Sequence, residues 1–209
     1  MIIAVDGPAA AGKGTLARAL AAHFGFHFLD TGSLYRMVAL ALLSKGKDPH
    51  DLEAATEAAR SLNPKSWAEE ALRGEDVGQA ASIVAAMPPV RNALLDLQRA
   101  FAARKPGAVL DGRDIGTIVC PKAPAKIFVT ATPEVRAHRR ARELAGRGNE
   151  THYDVVLADI HQRDERDRNR SFAPLVPAAD AFVLDTSDLD IEQAIAAAIA
   201  YAESRVAKS

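Results

Sequence analysis

Cysteine is almost missing from this chain: Cys120 stands alone among 209 residues. One cysteine excludes an intrachain disulfide and a multi-cysteine metal site, and it suits a reducing cytoplasm. Followed by Pro121, it reads as a small buried residue rather than a nucleophile. An excess of either charge is missing as well. The 26 Lys and Arg against 27 Asp and Glu leave a net charge of −1, so no global field recruits nucleic acid or an acidic membrane surface. No apolar run reaches the roughly 18 residues of a membrane span. Residues 1–5 are apolar but carry no basic leader and meet Asp6 and Gly7 at once, so they read as a first buried strand and not a signal peptide. Aromatics make up only 5%, and Trp67 and the scattered Phe residues read as packing. His23, His27 and His50 lack the partner spacing of a metal site. A monomer with no membrane and no nucleic-acid partner is expected.

What is present suits one α/β domain with room for an inserted subdomain. Short apolar runs at 2–5, 26–29, 108–110, 126–130 and 181–184 read as strands of a parallel sheet, with helices between them on both faces. Four of the five end in Asp or Thr beside a turn, and ligands of open α/β sheets bind at the carboxyl ends of strands. Helices are predicted at 12–23, from about Ser33, and at 50–61, 77–86, 89–104, 133–144, 154–170 and 191–206. In the first, Leu16, Leu20 and Phe24 form the buried stripe and Gly25 the stop. The stretch 45–89 breaks the alternation and reads as an inserted subdomain. Residues 142–151, with Gly146 and Gly148, read as the tip of a helical hairpin.

The sharpest motif follows the first strand: Gly7, Pro8, Ala9, Ala10, Ala11, Gly12, Lys13, Gly14 and Thr15. Small residues let consecutive backbone N–H groups turn inward around phosphate oxygens, and the following helix adds its N-terminal partial charge. Lys13 can reach the β- and γ-phosphates of ATP, and the Thr15 hydroxyl can approach Mg²⁺ directly or through water. Gly14 stands where the general motif has Ser or Thr. The resulting GKGT ending is the one found in nucleoside monophosphate kinases.

Three further clusters sit where an acceptor would lie. Asp30-Thr31-Gly32-Ser33 precedes Arg36; the plain alternative is a helix cap with an incidental arginine. Asp111-Gly112-Arg113-Asp114 ends the third strand, where a salt-bridged turn is the plain alternative. On the helix 154–170, Arg163, Asp167 and Arg170 share one face at i, i+4 and i+7, either as a solvated face or as half of a lid. Arg139, Arg140 and Arg142 precede it across the hairpin.

Along nearly its whole length the chain resembles the bacterial cytidylate kinase family. The stretches GPAAAGKGT (7–15), LDTGSLYR (29–36), AASIVAAMPPVRNALL (80–95), DGRDIGT (111–117), KIFVTATPEVRAHRR (126–140), RDERDRNR (163–170) and APLVPAADAFVLDT (173–186) carry the likeness. The resemblance implies a P-loop kinase of α/β class. Its five-stranded parallel sheet is flanked by helices, with a short inserted NMP-binding subdomain at about 45–89 and a helical lid at about 139–165. It implies transfer from ATP with Mg²⁺ to CMP and dCMP. Arg36 and Arg113 would hold the acceptor phosphate. Thr31, Arg91, Asp114 and Arg170 would surround the cytosine, and Ser82, Arg163 and Asp167 would touch the ribose. Asp111 and Gly112 belong to the same acceptor set. Two departures stand out: Thr31 where a serine is common, and a segment between Gly74 and Ser82 shorter than in most relatives.

The chemistry fits these residue types. Cytosine presents an amine where uracil presents a carbonyl, so a carboxylate such as Asp114 accepts from one and repels the other. The attacking phosphate has a second pKa of about 6 and is mostly dianionic at neutral pH, so neither a general base nor a catalytic histidine is expected. Lys13, Arg113, Arg139 and Arg142 are the candidates for spreading charge at the transferring group. The competing readings are a kinase of UMP, AMP or shikimate, a switch GTPase, and a non-catalytic nucleotide- or RNA-binding module. The Asn-Lys-x-Asp loop of a GTPase is absent from the sequence, and acids interleaved with the arginines weigh against an RNA binder.

Overall fold

Five strands form one sheet: β1 (Ile2–Asp6), β2 (His27–Asp30), β3 (Ala108–Gly112), β4 (Ala125–Thr130) and β5 (Phe182–Asp185), in the order β2-β3-β1-β4-β5. β1 pairs parallel with β3 and β4, and β4 with β5. This computed structural model describes residues 1–64, 68–149 and 151–206. Trp67 and, at the hairpin tip, Glu150 lie outside the described residues. Four of the five expected strands stop too early, at Val5, Leu29, Leu110 and Leu184. The ladder continues through the acids, with Val5 opposite Asp111 and Asp6 opposite Gly112, so these carboxylates are held by sheet geometry rather than by a loose turn.

The chain divides into two compact units, Met1–Leu29 with the residues from Ala102 onward, and Asp30–Phe101. In the first unit, α1 (Lys13–Phe24) and α8 (Ile191–Val206) cover the sheet. Leu16 and Leu20 of α1 and Ala198 and Ala202 of α8 pack with Ile3, Val5, Val109, Ile127 and Val129. Each fully buried aliphatic side chain of this kind contributes about 2 kcal/mol. Gly25 ends α1 with φ 64° and donates to the carbonyls of Ala21 and Ala22, a left-handed stop as the sequence indicates. The helices α6 (Pro133–Ala145) and α7 (Tyr153–Asn169) pack on each other through Ala137, Leu144, Val156 and Ile160.

The second unit consists of α2 (Thr31–Leu43), α3 (Leu52–Arg60), a single 3₁₀ stretch Glu69–Arg73, α4 (Glu75–Val84) and α5 (Pro88–Ala102), which crosses its end by one residue. Its core joins Leu34, Val38 and Leu42 of α2 to Ala55, Val77, Val84, Val90 and Leu94. The unit is broader than 45–89 because α2 itself belongs to this core. The short segment after Gly74 is continuous helix: Glu75-Asp76-Val77 and Ala80-Ala81-Ser82 share α4. Among the described residues no helix is long and apolar enough to cross a membrane.

Candidate active site

The cradle begins where β1 stops. Gly7 has φ 148°, and a Cβ there would stand 2.0 Å from the Val129 carbonyl oxygen of β4, so only glycine lets the loop pass so close to the sheet. Ala10 is left-handed at φ 58°, a conformation that costs a residue with a Cβ about 1 kcal/mol. Gly12 caps α1 without a side-chain bond, which leaves the helix's first N–H groups for the loop's interior. Lys13 is buried and its Nζ donates to the Pro8 carbonyl at 2.7 Å, folding the ammonium back over the loop. Thr15 is exposed on the first turn of α1.

At the end of β3, Asp111, Gly112 and Asp114 are buried. Asp111 Oδ2 lies 3.5 Å from where a Cβ on Gly14 would be, which puts this carboxylate at the cradle's side of the strand. A tight turn, Ile115–Val119, follows, with Val119 N–H donating to Asp114 O at 3.1 Å and Cys120 N–H to Ile115 O at 2.7 Å. These are five-residue spacings of π type. Asp114 makes no side-chain cap for this turn. Asp6 does so instead, its Oδ1 and Oδ2 accepting from Ile115 N–H and Gly116 N–H at 2.7 Å each.

The face of α7 is not a solvated one. Asp164, Asp167 and Arg170 are all buried. Arg113 Nε donates to Asp167 Oδ2 at 3.1 Å. Burial alone would raise the Asp167 carboxyl, but Arg113, Arg163 and Arg170 together hold it below its ordinary value. The arginines at 113, 163 and 170 are therefore gathered around one carboxylate, although the expected helix to 170 stops at Asn169 and Arg170 lies just beyond it with extended backbone at ψ 132°. Arg136 is fully buried and pairs with Asp164 through both nitrogens, at 2.9 and 2.6 Å. It also donates to Ala131 O at 2.9 Å and to Ala9 O of the cradle at 3.3 Å. Arg139 points to the loop after β5, donating to Thr186 Oγ1 at 2.9 Å and Thr186 O at 2.6 Å. Burial lowers its pKa, against the raising influence of Asp185. Arg142 is exposed.

The second unit holds the remaining candidates. Thr31 is buried at the start of α2, and Asp30, in the cap position, makes no side-chain capping bond. Arg36 donates to Leu72 O at 2.9 Å and packs against Gly78, whose Cβ would stand 3.5 Å from Nη1. Arg91 is buried, donates to Ala85 O at 2.9 Å, and stands 5.3 Å from the Tyr35 ring centre, a cation–π distance. The Ser82 hydroxyl is buried with no hydrogen-bond partner among the described residues.

Asp6, Arg136, Asp164 and Thr186 escape sequence reasoning about the site. Only an acid directly after an apolar strand hinted at Asp6, and only the dense arginine run at Arg136.

A phosphate cradle at the end of a central parallel strand, with a lysine folded over it and an arginine–aspartate cluster in the same unit, defines a phosphoryl-transfer kinase of the P-loop class. The family model for cytidylate kinase matches residues 3–204, and the chain belongs to the cytidylate kinase family. It is 62% identical to a cytidylate kinase of Xanthobacter autotrophicus over 98% of both chains. It is 61% identical to that of Methylocella silvestris, over 98% of this chain and 94% of the relative. Among solved structures, a shikimate kinase from Bacteroides thetaiotaomicron has the same fold, with a TM-score of 0.51, 17% identity and coverage of 99% of this chain and 98% of the other.

Proposed function

We propose that the protein transfers the γ-phosphoryl group of ATP to CMP and dCMP, giving CDP and dCDP. The observation that carries this reading is the buried cluster of Asp167 with Arg113, Arg163 and Arg170, in the same unit as the Lys13 cradle and the Asp114 turn. Residues 7–15 would hold the ATP phosphates through backbone N–H groups and Lys13. Arg36 and Arg113 would grip the acceptor phosphate. Thr31, Arg91, Asp114 and Arg170 would read the base, with Asp111 and Gly112 supporting that edge. Ser82, Arg163 and Asp167 would meet the ribose, and the buried, unpartnered Ser82 hydroxyl supports a ligand contact there.

The residues fit a hard divalent cation: the Thr15 hydroxyl is an exposed oxygen donor, and Asp111 brings a carboxylate to the same turn. Thr15 would hold Mg²⁺ directly or through water, and the bound ion would neutralise charge between the β- and γ-phosphates. The acceptor's own phosphate oxygen attacks in line, so alignment and charge neutralisation by Lys13 and the arginines suffice. Arg139 and Arg142 on α6 are the proposed lid contributors. Loss of an arginine that acts in the transition state lowers the rate by about 10³. The single cysteine supports a cytoplasmic enzyme, and the reading takes it as a monomer.

The test is ADP release with MgATP and CMP, dCMP, UMP, AMP or shikimate as acceptor. CMP and dCMP are expected to be turned over preferentially. Preference for another acceptor would retain the kinase chemistry and overturn the base reading.

A further inference from the structure

Asp6 is buried on the central strand, and no step proposed above uses it. Both of its carboxylate oxygens are committed, one to the N–H of Ile115 and one to the N–H of Gly116, at 2.7 Å each. These are the two peptides directly after Asp114. A carboxylate accepting two N–H groups makes short, charge-assisted bonds that fix direction as well as distance. The turn packs closely on Asp6 and Lys126: a Cβ on Gly116 would meet Lys126 Cδ at 3.2 Å and Asp6 Oδ2 at 3.3 Å. The strand and the turn are therefore fitted to one another around Asp6.

The cost of this arrangement is visible. Burial pushes the Asp6 carboxyl up to about 7 even though both N–H groups pull it down, and the carboxylates of Asp114 and Asp111 add to the rise. Lys126 of β4 passes the same turn with its chain but directs Nζ to Asp180 and to the Pro121 carbonyl, at 2.8 and 2.7 Å. A third buried acid beside two others is unfavourable, but only a carboxylate offers one acceptor oxygen to each of the two adjacent N–H groups.

We infer that Asp6 is a positioning residue for base selection: it clamps the turn after Asp114 and thereby sets where the Asp114 carboxylate meets the base. The inference rests on the reading of Asp114 as the cytosine-discriminating group. Discrimination by hydrogen bonds depends on placement, because a misplaced acceptor loses the right partner while no longer repelling the wrong one. Asn at position 6 keeps the shape but has one acceptor for two N–H groups, so it releases one side of the clamp.

The experiment compares wild type, Asp6→Asn and Asp114→Asn by kcat/KM for CMP and for UMP. The inference expects both variants to lower the CMP-over-UMP ratio, Asp6→Asn by about tenfold. A merely structural Asp6 would lower turnover of both acceptors together and leave the ratio where it was. If Asp114→Asn moves the ratio and Asp6→Asn does not, the positioning role is overturned and the base reading stands. If Asp114→Asn leaves the ratio unmoved, the base reading itself falls, and the role of Asp6 falls with it. Should Asp6→Asn not fold, Gly116→Ala crowds the same turn against Asp6 Oδ2, and the same ratio decides.

Discussion

Asp167 of α7 is a buried carboxylate shared by three arginines. Its folded pKa lies below the ordinary value, so its stabilisation is present above that value and is lost as pH falls through the folded pKa. Asp167→Asn removes the charge and leaves buried guanidinium groups uncompensated, a loss of about 3 kcal/mol near neutral pH. Thermal melts without ligand should show a clear gap between wild type and Asp167→Asn at neutral pH. That gap should shrink as pH falls below the ordinary aspartate value and through the lower folded pKa, where the wild-type carboxylate is protonated as well. A gap that stays constant over this range would mean that the arginines do not depend on the Asp167 charge.

At the scale of elements, the joint between α6 and α7 combines a small apolar core with one buried ion pair, Arg136 with Asp164. Arg136→Met strands the Asp164 carboxylate and should cost about 3 kcal/mol in chemical denaturation. The double variant Arg136→Met with Asp164→Leu should regain most of that stability, since an apolar pair can replace a buried ion pair without loss. It should not regain turnover, because the bond from Arg136 to the Ala9 carbonyl of the cradle is gone in both. Recovery of activity in the double variant would reduce the pair to packing. The same joint shows what local pattern conveys. The strands were legible from short apolar runs ending in acids, and the helices from a period of 3.6 and from Gly25 as a stop. The clamp on the turn at 115–119 was not, because Asp6 and Ile115 stand 109 positions apart and neither looks unusual among its neighbours. Arg136 was hidden differently: in a run of arginines, sequence does not say which one turns inward. Of the expected site, the cradle and the cluster of arginines at 113, 163 and 170 were legible from their motifs. The engagement of Arg139 with Thr186 was not, because it joins two motifs read separately.

At the scale of the whole molecule, the proposed chemistry would use Mg²⁺ held through Thr15 and the nucleotide phosphates. Chelation by EDTA should stop ADP release, and excess Mg²⁺ should restore it in the same sample. Turnover that persists in EDTA would remove the cation from the reaction.

β1 lies at the middle of the sheet and hands the chain directly to the phosphate loop, while its last residue grips the turn beyond β3. One five-residue segment thus joins the phosphate loop to the turn proposed to read the acceptor. A truncation of the buried Val5, unlike a change at Asp6, is expected to loosen both ends of that segment together. In a titration it would appear as fewer working molecules rather than as a changed preference for one acceptor.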